Sequence, residues 1–195
     1  MIRSERPTVG GIILAAGESS RFGNENKLLS PLDGTPVIRR VAGVALESPL
    51  GEVVTVLGHD ADAVAEALGG LPISTTYNAD YTAGQSTSLR CGVDVGRRSG
   101  WDATVVLLGD MPFVNPTTVE RLVETYLSGA GSVVAPQCDG RRGNPVLFDR
   151  SLYERLCSVS GDRGARELVG AHPGTVRVPT DDRGVLRDVD TPRDL

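Results

Sequence analysis

The order of apolar runs predicts a three-layer α/β fold on a mixed, mainly parallel sheet. Short β-branched runs alternate with amphipathic segments of helical period along most of the chain, as they do in successive βαβ units. Within that alternation Ala103–Leu108 (ATVVLL) is apolar without a break, as a central strand buried on both faces must be. The Asp-Gly turn inside Gln137–Phe148 then signals a hairpin, which makes the sheet mixed. At 195 residues the chain can bury one substantial core, and the reading is a tail over 1–8 followed by a single domain over 9–195.

The first strand is Ile12–Ala16, an apolar run that gives way abruptly to Gly17, two serines, Arg21, Gly23 and Lys27. Asp33-Gly34 reads as a turn, with Pro36 as the first residue of a helix capped by Thr35 and carrying Val37, Val41, Val44 and Ala45 inward. Glu52–Gly58 is a second strand, followed by a helix from about Asp60 that ends at Gly69-Gly70. Ile73–Tyr77 is a third, and the polar stretch Asn78–Leu89 leads into a helix through about Arg97. After the ATVVLL strand, Asn115 and Pro116 form a cap and N1 pair for a helix to about Leu127. A strand Ser132–Pro136, the hairpin, helices at 151–156 and 165–169, and strands Thr175–Pro179 and Val185–Val189 complete the expected order.

Composition narrows the function. No apolar run approaches the roughly 20 residues of a membrane span, and MIRSERPTV has no apolar segment of the signal-peptide kind behind its charges. A cytoplasmic protein is expected. A net charge of −5 argues against nonspecific nucleic-acid binding, which needs a cationic surface. Cys91, Cys138 and Cys157 form no CxxC pair, and His59 and His172 lack metal-ligand spacing.

Positive charge is therefore needed only locally, and the loop after the first strand supplies it. Glycine permits close approach of backbone N–H groups to an anion, while Arg21 and Lys27 add the charge that phosphates require, so a nucleoside triphosphate is the expected guest. Neither GxxxxGK[ST] nor GxGxxG is present. Asp110 follows the central strand at the carboxyl end, where it either holds a hard cation such as Mg²⁺ or caps the turn before Pro112. Asp188 and Asp190, on one face of the expected last strand, offer further carboxylates, although an Asp before Thr-Pro also serves as a turn cap. Gly84–Leu89 (GQSTSL) is either a plain N-cap or an anion site at a helix start.

Taken together, LAAGxSxRFGxxxK, GQSTSL, GDMP, GNP, GDRGAR and DVDTP resemble, in order, the motifs of the molybdenum cofactor nucleotidyltransferase family, with its MobA-like and MocA-like members. The likeness runs from Gly11 to Asp194, with Phe22 where many relatives have methionine and Asn144 where histidine is frequent. It implies a GT-A-like nucleotide-diphospho-sugar transferase fold and a Mg²⁺-dependent transfer of a nucleotide to the phosphate of molybdopterin. Nucleotide binding would fall to Leu14, Ala15, Ala16, Gly17, Ser19, Arg21, Lys27, Gly109 and Asp110. Among these Arg21, Lys27 and Asp110 would be catalytic, with Arg21 and Lys27 on the triphosphate. The pterin side would be Gln85, Ser86, Ser88, Gly143, Asn144, Pro145, Asp162, Gly164, Ala165 and Arg166, and the metal would sit on Asp110 and Asp190, with Asp188 as a further candidate. Ala16, where guanylyl-transferring relatives tend to carry glycine, implies CTP as donor. The same motifs suit a guanylyl- or adenylyltransferase, one acting on a sugar or alcohol phosphate, or a non-catalytic nucleotide-binding module. A client molybdoenzyme or its chaperone is the implied macromolecular partner.

Overall fold

The computed structural model describes residues 7–19, 22, 26–158 and 164–195, and for 164, 165 and 167 the backbone only. In chain order its elements are β1 (Val9–Ala15), β2 (Pro31–Leu32), β3 (Thr35–Pro36), α1 (Val37–Leu46), β4 (Val53–Leu57), α2 (Ala61–Ala67), β5 (Ser74–Tyr77), α3 (Gln85–Ser99) and β6 (Ala103–Leu108). There follow α4 (Pro116–Leu127), β7 (Val133–Cys138), β8 (Arg141–Arg142), β9 (Val146–Asp149), α5 (Tyr153–Ser158), α6 (Gly164–Ala171) and β10 (Thr175–Pro179).

The main sheet runs β5-β4-β1-β6-β9-β7-β10, with β8 beside β7. Strand β1 lies parallel between β4 and β6, and β5 and β10 are parallel to their neighbours, whereas β9 is antiparallel to both β6 and β7. The origin of that reversed strand is the Asp139-Gly140 turn, whose residues both have positive φ (49° and 73°), the twist that a tight hairpin requires. Strands β8 and β9 are one returning strand whose register against β7 slips by two residues across Gly143–Pro145. The slip bulges that loop out at the edge of the sheet where β1, β4 and β6 end.

Alternation along β1 divides two cores. Val9, Ile13 and Ala15 face the layer of α1, α2 and α4, and Ile12 faces the layer of α3, α5 and α6. On the second face the helix comes very close, because a Cβ at Gly92 of α3 would lie 2.5 Å from Ile12 Cγ2. Trp101 fills the space over Gly10 and Gly96, and its Nε1 donates to Glu52 Oε2 at 3.1 Å. This approach carries the start of α3 over the ends of β1 and β6.

Two expected elements differ. Pro36 ends β3 and precedes α1, which has no side-chain cap; the N–H groups of Val37 and Ile38 instead donate to the carbonyls of Ser30 and Leu28 (3.1 and 2.9 Å). Strand Val185–Val189 does not form. Arg183–Leu186 is a 3₁₀ turn because Asp182 caps it through the Gly184 N–H (2.9 Å) and Gly184 is pressed against the Phe113 carbonyl, with no room for a ladder.

Gly92→Ala should therefore push α3 off β1 at a cost of about 1–3 kcal/mol, lowering the melting temperature by roughly 3–10 °C. Gly43→Ala, inside α1 with nothing within 4 Å of the added Cβ, should raise it by a degree or more. Paired thermal melts check both.

Candidate active site

Because β1 and β6 are parallel neighbours, the loops that follow them leave the sheet side by side. Gly109 makes the approach close: its N–H donates to the Leu14 carbonyl at 2.9 Å, and a Cβ there would sit 2.7 Å from the same oxygen. Asp110 thereby comes to rest beside residues 15–19. Asn26 organises the far end of that loop, accepting from Ser19 Oγ (3.4 Å) and the Leu28 N–H (3.0 Å) and donating to Asp60 (3.3 Å). The Lys27 N–H donates to Ser19 Oγ at 3.3 Å, so the lysine projects from a braced segment.

The last carboxylates arrive without a strand. Val189 is fully buried and its N–H donates to the Asp110 carbonyl at 2.8 Å, which leaves Asp188 and Asp190 outside the core on either side of it. Asp194 accepts from the Asp190 and Thr191 N–H groups and the Thr191 hydroxyl, and the Thr191 bonds are what chiefly hold its carboxyl below the usual range. Upstream, Asp182 accepts from the Asn115 N–H (2.9 Å) and Thr118 Oγ1 (2.7 Å), tying this segment to the start of α4. Asp110, Asp188 and Asp190 each bring a carboxylate oxygen to within 4.8 Å of the others. Into that group reaches Lys27, its Nζ 2.7 Å from Asp110 and 3.3 Å from Asp190. Burial alone would lower the pKa of the ammonium, but the two carboxylates outweigh it and hold the pKa above its ordinary value.

A cleft of about 430 Å³ opens over this cluster. Leu14, Ala15, Ala16, Gly17 and Ser19 form one wall and Gln85 and Ser88 another, with Lys27, Asp110 and Asp190 at the base. Glu18, Leu28, Tyr81, Thr82 and Leu108 also line it; Glu18 stands at a variable position of the glycine-rich loop, and none of the five is a signature residue of a motif. Several expected residues stand elsewhere, and Ala16 and Ser88, though in the walls, are buried. Gly109 is buried behind the wall, and the Ala16 methyl is turned to Gly58. Ser88 is 4 % exposed and its hydroxyl accepts from Asn78 (2.9 Å). Gly143 packs on Val185, and Pro145 is buried near Val41 and Met111. Ser86, Asn144 and Arg166 line a smaller adjoining pocket together with Arg142, which in sequence reads as an ordinary hairpin residue. Gly164 and Ala165 open α6, while Arg21 and Asp162 lie outside the described residues.

With this geometry, residues 11–176 match the MobA-like NTP transferase domain. The chain belongs to that family. By family, then, it is a nucleotidyltransferase, and its fold is that of the nucleotide-diphospho-sugar transferases. Rv0371c from Mycobacterium tuberculosis H37Rv superposes with a TM-score of 0.84 at 27% identity over 97% of this chain and 96% of that one. A manganese complex of Rv0371c has also been solved, with a TM-score of 0.77 at 26% identity over 96% and 95%. A nucleotidyl transferase from Methanothermobacter superposes at 0.81 with 26% identity over 96% and 94%. In sequence, Nicotine blue oxidoreductase from Paenarthrobacter nicotinovorans is 33% identical over 96% of this chain and 95% of its own length. Bifunctional protein GlmU from Agrobacterium fabrum is 32% identical over 80% of this chain, which spans 34% of that protein.

Among the described residues of this MobA-like domain no helix is long and apolar enough to cross a membrane. Since Asp182 braces the segment bearing Asp188 and Asp190, Asp182→Ala should cost about 1–3 kcal/mol of stability and loosen the carboxylate cluster, so that any divalent-cation affinity falls. A thermal melt and a Mn²⁺ titration on the same sample check it.

Proposed function

We propose that the protein transfers CMP from CTP to the terminal phosphate of molybdopterin, with Mg²⁺ as the cation. The observation that carries this reading is the convergence of Asp110, Asp188 and Asp190 at the base of the cleft walled by the β1 loop. The donor set would fit a hard divalent ion, being three carboxylates with an oxygen each within 4.8 Å of the others. The Lys27 ammonium already lies against two of those carboxylates as a stand-in cation. A bound Mg²⁺ would supply positive charge for the α-phosphate and the attacking oxygen.

In this reading the loop 15–19 orients the triphosphate by its backbone N–H groups, and Arg21 and Lys27 take its charge, while Asp110, Asp188 and Asp190 would hold the cation. A phosphate oxygen of the acceptor forms the new bond to the α-phosphorus in line, the bond from α-phosphorus to the bridging oxygen breaks, and pyrophosphate leaves with the electron pair. The acceptor phosphate is already anionic at neutral pH, so no general base is needed, and positioning and charge neutralisation do the catalysis. Gln85 spans the cleft and the smaller pocket, where it would hold the acceptor across from the nucleotide. The Ala16 methyl, packed on Gly58, would act on base choice through the spacing of two loops and not by touching the base.

The likeness to Nicotine blue oxidoreductase over nearly the whole chain supports a second reading, reduction of a conjugated small molecule. Phosphoryl chemistry has a use for three converging carboxylates that hydride transfer lacks. The two separate on one assay: pyrophosphate release from CTP, GTP or ATP with Mg²⁺ and molybdopterin, against consumption of NADH or NADPH with a quinoid dye. CTP should be favoured over GTP by roughly ten- to a few hundredfold, and sugar phosphates should not replace molybdopterin. Asp110→Ala should cut turnover about a thousandfold or more with an unchanged circular dichroism spectrum. Near-normal activity of that variant overturns the metal role.

A further inference from the structure

Beside the cleft lies the smaller pocket, of about 60 Å³, which shares Leu14, Gln85 and Leu108 with it. Its floor is apolar, made by Leu89, Val106, Val146, Phe148 and Val169. Its rim is cationic: Arg142 and Arg166 stand there with Gln85, Ser86 and Asn144, and among the described residues no carboxylate lines it. In a chain of net charge −5 this is a local reversal of sign.

Arg142 is half-buried at the end of β8, and its guanidinium makes no hydrogen bond or ion pair with any described residue. Burial first, and then the charges of Arg166 and Arg177, lower its pKa from the ordinary arginine value. A guanidinium partly withdrawn from water and set beside other cations is unfavourable on its own, and the arrangement becomes favourable when an anion enters. The neighbouring α3, 15 residues long, begins at Gly84 without a side-chain cap and points the positive end of its dipole at the same rim. The bulge at Gly143–Pro145 turns Asn144 into the pocket, next to Arg142.

We propose that this pocket is a second anion site, in which Arg142 and Arg166 bind a negatively charged group of the acceptor while the acceptor's phosphate lies at the carboxylate cleft. The acceptor then carries a second anionic group besides its phosphate, and the part of it between the two crosses Leu14, Gln85 and Leu108, the residues common to both pockets. The assignment of the ligand to an acceptor rests on the transferase reading; the anion site itself does not. Arg142 is on this view a specificity residue, selecting acceptors that carry an anionic group besides the phosphate by a forked pair of charge-assisted hydrogen bonds.

The test titrates inorganic phosphate into the ¹⁵N-labelled full chain at constant ionic strength, following amide shifts in the wild type, Arg142→Gln and Arg142→Lys. Saturable shifts at Ser86, Asn144 and Arg166 are expected, weakened at least about tenfold in Arg142→Gln and less in Arg142→Lys, which keeps the charge and loses the fork. With CTP and molybdopterin, Arg142→Gln should raise KM for the acceptor by about tenfold or more and leave KM for CTP where it was. Phosphate shifts confined to residues 15–19 and Lys27, or equal affinity in the wild type and Arg142→Gln, overturn the site. If the wild type transfers no nucleotide while the phosphate shifts at the pocket persist, the transferase reading falls and the anion site stands.

Discussion

Three carboxylates held within 4.8 Å of one another repel, and most of the architecture around the cleft can be understood as what keeps them there. Each pair costs on the order of 1–3 kcal/mol between water and a protein-like dielectric, a burden that only a rigid surround or a cation relieves. Both are present. The Lys27 ammonium neutralises some of the charge, while Val189, sealed in the core and bonded to the Asp110 carbonyl, prevents the two terminal aspartates from drifting away. Asn26, Asp182 and Asp194 act likewise from a layer further out, each fixing a backbone segment that carries one of the charged groups.

The sheet contributes by direction. Parallel pairing of β4, β1 and β6 delivers three loops to one edge, which is where open α/β sheets collect their ligands. The single reversed strand, β9, adds what a purely parallel sheet would not: the loop leading into it lies at the same edge, so residues 142–144 meet the start of α3. The larger cleft and the smaller pocket are thus products of two different pairing rules meeting at β6.

Much of this was legible in the residues. Continuous apolar runs announced β1 and β6, the Asn115-Pro116 pair announced α4, and Asp-Gly turns with two positive φ angles appeared where the sequence places them. Asp110, Asp188 and Asp190 were identifiable from motif order, but the reason they meet was not, since a strand was expected where a 3₁₀ turn and a buried valine do the positioning. Valine spacing at 185 and 189 carries no sign that Gly184 is wedged against Phe113. Lys27 was foreseen beside phosphates and rests on carboxylates, a difference that only the path of the last residues explains. Arg142 was missed because an arginine in a hairpin normally faces water, and nothing local in RRGNP reports the register slip that turns it toward a pocket.

Lys27 and Asp190 are 163 positions apart in the chain. A ribosome has therefore made β1, β6, Asp110 and α1 to α6 before the second carboxylate partner of that lysine exists. Contacts of such separation form late, after the local βαβ units have already condensed. A nascent chain stopped short of Val189 holds the glycine-rich loop and Asp110 but lacks the Val189–Asp110 tie and Asp190, so a protein still being synthesised can be folded over most of its length and yet be without its three-carboxylate cluster.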